Sequence, residues 1–88
     1  MPMAEICRFY GIVIRMYFAD HAPPHFHAEY AEHEARIAID SFAVMSGKLP
    51  ARAMGLVAEW ATLHQQELHG LWEKARRHQR LNRLEPLP

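Results

Sequence analysis

Apolar and polar positions follow a period of two through the first half of the chain and change period near residue 50. Residues 8–19, Arg-Phe-Tyr-Gly-Ile-Val-Ile-Arg-Met-Tyr-Phe-Ala, are rich in β-branched and aromatic types, which favour a strand. Apolar side chains fall on both of its faces, so a central position is expected, with Gly11 marking a bulge or a close backbone approach. Pro23 and Pro24 end the run, because neither donates a ladder hydrogen bond and each fixes its own φ. From His25 to Tyr30 alternation resumes. Phe26, Ala28 and Tyr30 go to one face, and His25, His27 and Glu29 to the other. After a polar turn over residues 31–34, Ala35, Ile37 and Ile39 alternate with Arg36, Ala38 and Asp40. Pairing Tyr30 with Ala35, Ala28 with Ile37 and Phe26 with Ile39 gathers every apolar side chain on one face. It also sets Glu29 opposite Arg36 and His27 opposite Ala38, so charge and hydrophobic pattern select the same register.

Residues 42–45 add a short fourth strand, and Ser46-Gly47-Lys48 reads as a turn. Pro50 suits a first helical turn, where its missing N–H is not needed. Beyond it, Ala53, Leu56, Val57, Trp60, Leu63 or His64, Leu68 and Leu71 recur at spacings of three and four, one apolar stripe on a helix. The expected fold is α+β: a small antiparallel sheet of three to four strands packed against one long C-terminal amphipathic helix, which Gly70 either kinks or interrupts to give a second short helix through Arg77. Residues 1–88 are read as a single domain, with 79–88 as a C-terminal tail too proline-rich at its end to stay helical.

Composition sharpens this picture in a few places. Eighty-eight residues, half of them hydrophobic, sustain one thin core, so a partner chain or a homodimer would add stability. The net charge is zero, which argues against indiscriminate binding to nucleic acid. Within that balance Lys74, Arg76, Arg77, Arg80 and Arg83 stand together without an acid. Such a cluster either complements a helix end or, through Arg76, Arg77 and Arg80, contacts phosphate or an acidic partner. The single cysteine, Cys7, cannot form an internal disulfide, and no apolar run approaches the roughly 18–20 residues that span a bilayer. A cytoplasmic location away from membranes is expected. Gly11, Gly47, Gly55 and Gly70 are too scattered for a phosphate-binding loop, and no cofactor is expected.

The candidate chemistry lies between Asp20 and Tyr30. Four of the seven histidines fall between residues 21 and 33. His25 and His27 share a strand face, Asp20 and His21 stand at the mouth of the preceding loop, and Arg36, Arg15 and Tyr17 have the matching parity. Three readings stay open. Histidines at i and i+2, joined by Asp20 or His21, suffice as ligands for zinc or a related ion. There is neither a cysteine pair nor a His-Glu-x-x-His helix, so the spacing alone assigns no metal site. His25, His27 and Arg36, with Asp20 and His21, also make up a base, an acid and a phosphate-holding cation for cleavage of RNA. In the third reading the imidazoles only order the turn through bonds to backbone groups. The His-Phe-His-Ala pattern is similar to the histidine triad of nucleotide hydrolases, but Glu29 stands where the third histidine belongs, which excludes that family.

Phe9-Tyr10-Gly11-Ile12, Met16-Tyr17-Phe18, Asp20-His21 and Pro23-Pro24-His25-Phe26-His27-Ala28 together resemble domain of unknown function 4160, a family of small bacterial proteins. Gly47-Lys48-Leu49-Pro50, Glu59-Trp60, Glu67-Leu68, Trp72 and Glu85-Pro86-Leu87 fit the same family. The resemblance implies a small partner protein encoded alongside, in a pair of the toxin–antitoxin kind, with RNA as an implied target. It assigns no catalytic residue.

Overall fold

The computed structural model describes residues 2–88. Five strands, β1 (Met3–Phe9), β2 (Ile12–Tyr17), β3 (His25–Tyr30), β4 (His33–Ala38) and β5 (Val44–Lys48), form one antiparallel sheet in chain order. Two helices, α1 (Ala51–Leu63) and α2 (Gln65–Arg76), cover its apolar face. This corrects the expected sheet of three to four strands under one long helix. Each difference has a local cause.

Residues 8–19 are not one strand but the heart of a hairpin. Tyr10 and Gly11 both take positive φ, 49° and 80°. That is the backbone of a two-residue turn whose twist matches the flanking strands. A bulge between Glu5 and Cys7 leaves Ile6 unopposed, so Ile6 and Cys7 are both buried and the alternation of β1 is broken. The next hairpin turns on two residues, Ala31 and Glu32, rather than four, with Ala31 at φ 52°. Its register is therefore two residues from the expected one: Phe26 faces Ile37, Ala28 faces Ala35, and His27 faces Arg36. A slip of two preserves which side chains share a face, so hydrophobic pattern alone cannot distinguish the registers. Glu29 lies opposite Glu34 instead of Arg36, and its carboxylate accepts from Arg15 Nε at 3.1 Å.

Ser46-Gly47-Lys48 belongs to β5 and is not a turn. Met45 bulges out of the pairing with β4, and Gly47 sits at φ 79°. A Cβ on Gly47 would lie 2.1 Å from the Glu34 carbonyl oxygen, so the strand approaches this closely only because the residue is glycine.

The helical stripe breaks at His64, whose φ and ψ of −120° and 20° leave the helix, and not at Gly70, which lies inside α2. Tertiary contacts fix the break. Gln65 Nε2 donates to the carbonyls of Ile39 (2.8 Å) and Asp40 (3.1 Å) at the end of β4, and His64 Nδ1 bonds the Glu67 carboxylate in the first turn of α2. Pro50 occupies the N-cap of α1, one position before its first turn.

The core is one cluster between sheet and helices. Ile12, Ile14, Met16, Phe26, Ala28 and Ile37 from the sheet meet Val57, Trp60, Leu68 and Leu71 from the helices. Trp60 stacks edge-on against Phe26 at 5.9 Å and tilts over Phe9 at 5.5 Å. Its indole N–H, which could not be buried unpaired, donates to the Glu85 carbonyl at 2.9 Å. The tail is packed down in the same way. Leu84 and Leu87 are buried, and Leu84 N–H donates to the Ile6 carbonyl at 2.8 Å, which covers the outer edge of β1.

Glu5 fastens that edge to the tail. Its carboxylate accepts from Arg8 at 2.8 Å and from Arg83 at 3.0 Å. Hydrogen bonds from Arg8 and then Arg83 hold its pKa down, from 4.5 to about 2. A carboxyl depressed by folding stabilises the fold above its unfolded pKa and loses that contribution as pH falls through the folded one. The destabilisation caused by Glu5→Gln, read from urea unfolding, is therefore expected to be full above about pH 5 and to shrink progressively as pH falls from there through about 2. A difference that is constant with pH would contradict the clamp.

Candidate functional site

The loop between β2 and β3 is held at three points. Ala19 N–H donates to the carbonyl of Ala75 in α2 (3.1 Å), and Ile39 N–H donates to the Pro24 carbonyl (3.0 Å). The Phe18 ring stacks on His78 at 6.4 Å. The Ala22–Pro23 peptide is cis. Held in this way, the loop turns Asp20 back towards the start of β3. Asp20 Oδ1 accepts from the His21 backbone N–H at 2.8 Å, and Oδ2 points at two imidazoles.

His25 is 2% exposed, the only buried polar or charged side chain among the described residues. Its Nδ1 lies 2.8 Å from the Pro23 carbonyl oxygen. A carbonyl only accepts, so Nδ1 carries the proton. Nε2, 3.0 Å from Asp20 Oδ2, is then either a second donor on an imidazolium or a bare lone pair facing a carboxylate. Across the ring, Trp72 packs at a centroid distance of 5.2 Å.

His27 sits beside it, the rings 5.4 Å apart, under the Tyr17 ring at 4.4 Å. Its Nε2 is 3.5 Å from Asp20 Oδ2 and its Nδ1 is 3.6 Å from Glu34 Oε2. Neither nitrogen completes a hydrogen bond, and neither reaches solvent. An unsatisfied buried polar atom typically costs about 1–3 kcal/mol. Burial, only partly offset by Asp20, lowers the His27 pKa and favours the neutral ring. At Asp20 burial pushes the other way, but the bond from the His21 N–H and the two neighbouring imidazoles outweigh it and keep the carboxyl below its usual value. The site is thus an ionised carboxylate shared by two largely buried imidazoles.

Among the candidate residues, Asp20, His25 and His27 come together, whereas His21 contributes only its backbone N–H and leaves its side chain exposed. Arg36 lies directly opposite His27 in the sheet, in an exposed position, and donates Nε to Ser46 Oγ at 2.8 Å. It borders a cleft of about 210 Å³ with His27, Glu34 and Ser46. Arg15 and Tyr17 flank His27 from β2, as their parity suggested. Arg76, Arg77 and Arg80 are exposed at the end of α2 and the start of the tail, and Arg76 bonds Glu73 at 3.4 Å. Three participants escaped sequence reasoning. Glu34 was hidden inside an assumed four-residue turn, and the Pro23 carbonyl and the Trp72 ring carry no signature of their own. A second, larger concavity also went unread. It is a groove of about 640 Å³ at the opposite end of β3, lined by Tyr10, Tyr30, Pro50, Leu56, Leu63 and Pro88.

Residues 11–73 match the profile of Domain of unknown function (DUF4160). The chain belongs to this family. No curated protein and no solved structure matches it. The DUF4160 segment contains Asp20, His25, His27, Arg36 and Trp72, so every side chain of the histidine site lies inside it. Arg76, Arg77 and Arg80 lie outside it.

The site's interior position sets its energetics. His25→Ala removes a buried ring from between Trp72 and Asp20 and strands the carboxylate, so a loss of about 2–4 kcal/mol is expected in denaturant unfolding. His21→Ala, at an exposed side chain, is expected to change stability by less than about 0.5 kcal/mol. Equal, small effects of the two substitutions would contradict the assignment.

Proposed function

We propose that this DUF4160 domain is the non-catalytic, protein-binding member of a two-protein module of the toxin–antitoxin kind, and that it holds its partner in the groove beside Tyr10 and Tyr30. A contrast in accessibility carries the reading. No ring nitrogen of His25 or His27 is presented to solvent, where a substrate would need it. The groove, in contrast, is open and flanked by Tyr10, Tyr30 and Leu63, exposed at 60%, 37% and 65%. This moves the weight away from an RNA-directed histidine surface and towards recognition of a protein.

The chemistry of the groove suits a partner segment with an apolar anchor. Tyrosines are enriched in protein interfaces because a rigid apolar ring and a polar tip act together. Tyr10 is fixed in place, its hydroxyl donating to the Pro88 carbonyl at 2.6 Å. Arg52 and Glu59 put both signs of charge on the lining, which supplies register more than affinity. A second small protein encoded alongside, as the family resemblance implies, is the natural occupant.

Leu63→Asp tests this, because its exposed side chain supports no core packing. With the co-encoded partner, calorimetric titration is expected to show affinity reduced at least about ten-fold, with an unchanged unfolding midpoint. Wild-type affinity in the folded variant would refute the groove as the contact surface.

A further inference from the structure

We propose that Asp20, His25 and His27 form a binding site for one divalent metal ion of the zinc class, which locks the loop between β2 and β3 onto the sheet. One donor atom from each of the three residues lies within 4.8 Å of the others. Asp20 Oδ2 is 3.0 Å from His25 Nε2 and 3.5 Å from His27 Nε2. Those two separations are the edges of a coordination polyhedron with bonds of about 2.0–2.2 Å. The two imidazole nitrogens need only approach each other for one ion to bond all three atoms.

The outer shell points the same way. A histidine that binds metal through one nitrogen commonly donates its other N–H to a carbonyl or carboxylate, which fixes the tautomer and aims the lone pair. His25 does this with the Pro23 carbonyl at 2.8 Å. His27 has Glu34 Oε2 placed 3.6 Å from Nδ1 for the same purpose. Both Nε2 atoms are thereby directed at one carboxylate oxygen. An ion between them also resolves the principal polar defect of the site. Nε2 of His27 is cut off from water and makes no hydrogen bond, and coordination would give its lone pair a partner.

Two imidazoles and one carboxylate select a borderline cation such as Zn²⁺ or Co²⁺ over Mg²⁺ or Ca²⁺, which prefer all-oxygen shells. No fourth protein ligand joins the set among the described residues, so water or another small donor completes the shell. With the Tyr17 ring against His27 and the Trp72 ring against His25, the role is structural: the ion ties Asp20, in the loop, to the first and third residues of β3.

Untagged full-length chain, stripped with chelator, is titrated with Zn²⁺ and with Co²⁺. The expected result is one equivalent bound at roughly micromolar affinity or tighter, a raised unfolding temperature, and a visible absorption band typical of four-coordinate cobalt. His27→Gln and Asp20→Asn, each shown by circular dichroism to be folded, are expected to weaken binding at least about ten-fold and to abolish the cobalt band. Glu34→Gln, whose exposed carboxylate faces His27 Nδ1 at 3.6 Å and bonds no ion, is expected to weaken it less. His69→Gln, from the separate His69–Asp40 pair, is expected to leave affinity unchanged. Absence of stoichiometric binding to the folded wild-type chain overturns the proposal. So does binding that both His27→Gln and Asp20→Asn leave intact, since it would then belong to other histidines.

Discussion

The arrangement around β3 depends on one imidazole. His25 is pinned by its Nδ1–H to the Pro23 carbonyl and by Nε2 to the Asp20 carboxylate, with the Trp72 indole against its ring. These contacts join three parts of the chain that are distant in sequence or direction: the loop after β2, the start of β3 and the buried face of α2. A neutral apolar residue could fill the space, but it could not hold a carboxylate in a site almost closed to water. Taking an ionised group out of water is tolerated only where partners replace its solvation. Asp20 is supplied with such partners by the His21 amide and the two imidazoles, and its position then dictates the path of the loop.

The two faces of the sheet divide the labour. One face and the helices make the core, with Trp60 as its largest member. The other carries Arg15, His27, Glu29 and Arg36; there Arg15 bonds Glu29 and Arg36 bonds Ser46, while the His27 ring nitrogens make no hydrogen bond. Sealing of the edge comes from the tail, which covers β1, while β5 ends the sheet with a bulge at Met45 and with Lys48. A bulge and a charge are common ways to keep a free edge from pairing with another chain. What is left open is the groove by the first hairpin turn. It lies at the end of β3 remote from His25, so the structural site and the proposed contact surface do not compete for the same residues.

Much of this was legible in the sequence, and what was not has physical causes. Alternation identified the buried set Phe26, Ala28, Ala35, Ile37 and Ile39, because period-two pattern reports directly on burial. The same pattern is blind to a register shift of two, so the partner of His27 was misassigned and Glu34 was overlooked. The turn at Tyr10-Gly11 was missed because an aromatic residue at positive φ is uncommon there, and the continuous apolar run concealed it. The interruption was placed at Gly70 because the stripe runs unbroken past His64; the break at His64 is imposed by Gln65 reaching the end of β4, a contact without a local signature. The Asp20–His25–His27 cluster was visible as a composition of residue types. Its closure to solvent is a property of packing and was not.

The central claim is that the Pro23 carbonyl holds a proton on His25 Nδ1. Long-range proton–nitrogen correlation spectra of the imidazole side chains test it most directly. The account predicts a His25 ring with a slowly exchanging proton on Nδ1, and loss of that signature in a folded variant whose loop is released by Asp20→Asn. A His25 ring that is bare at Nδ1, or that averages both tautomers as a free imidazole does, would contradict it.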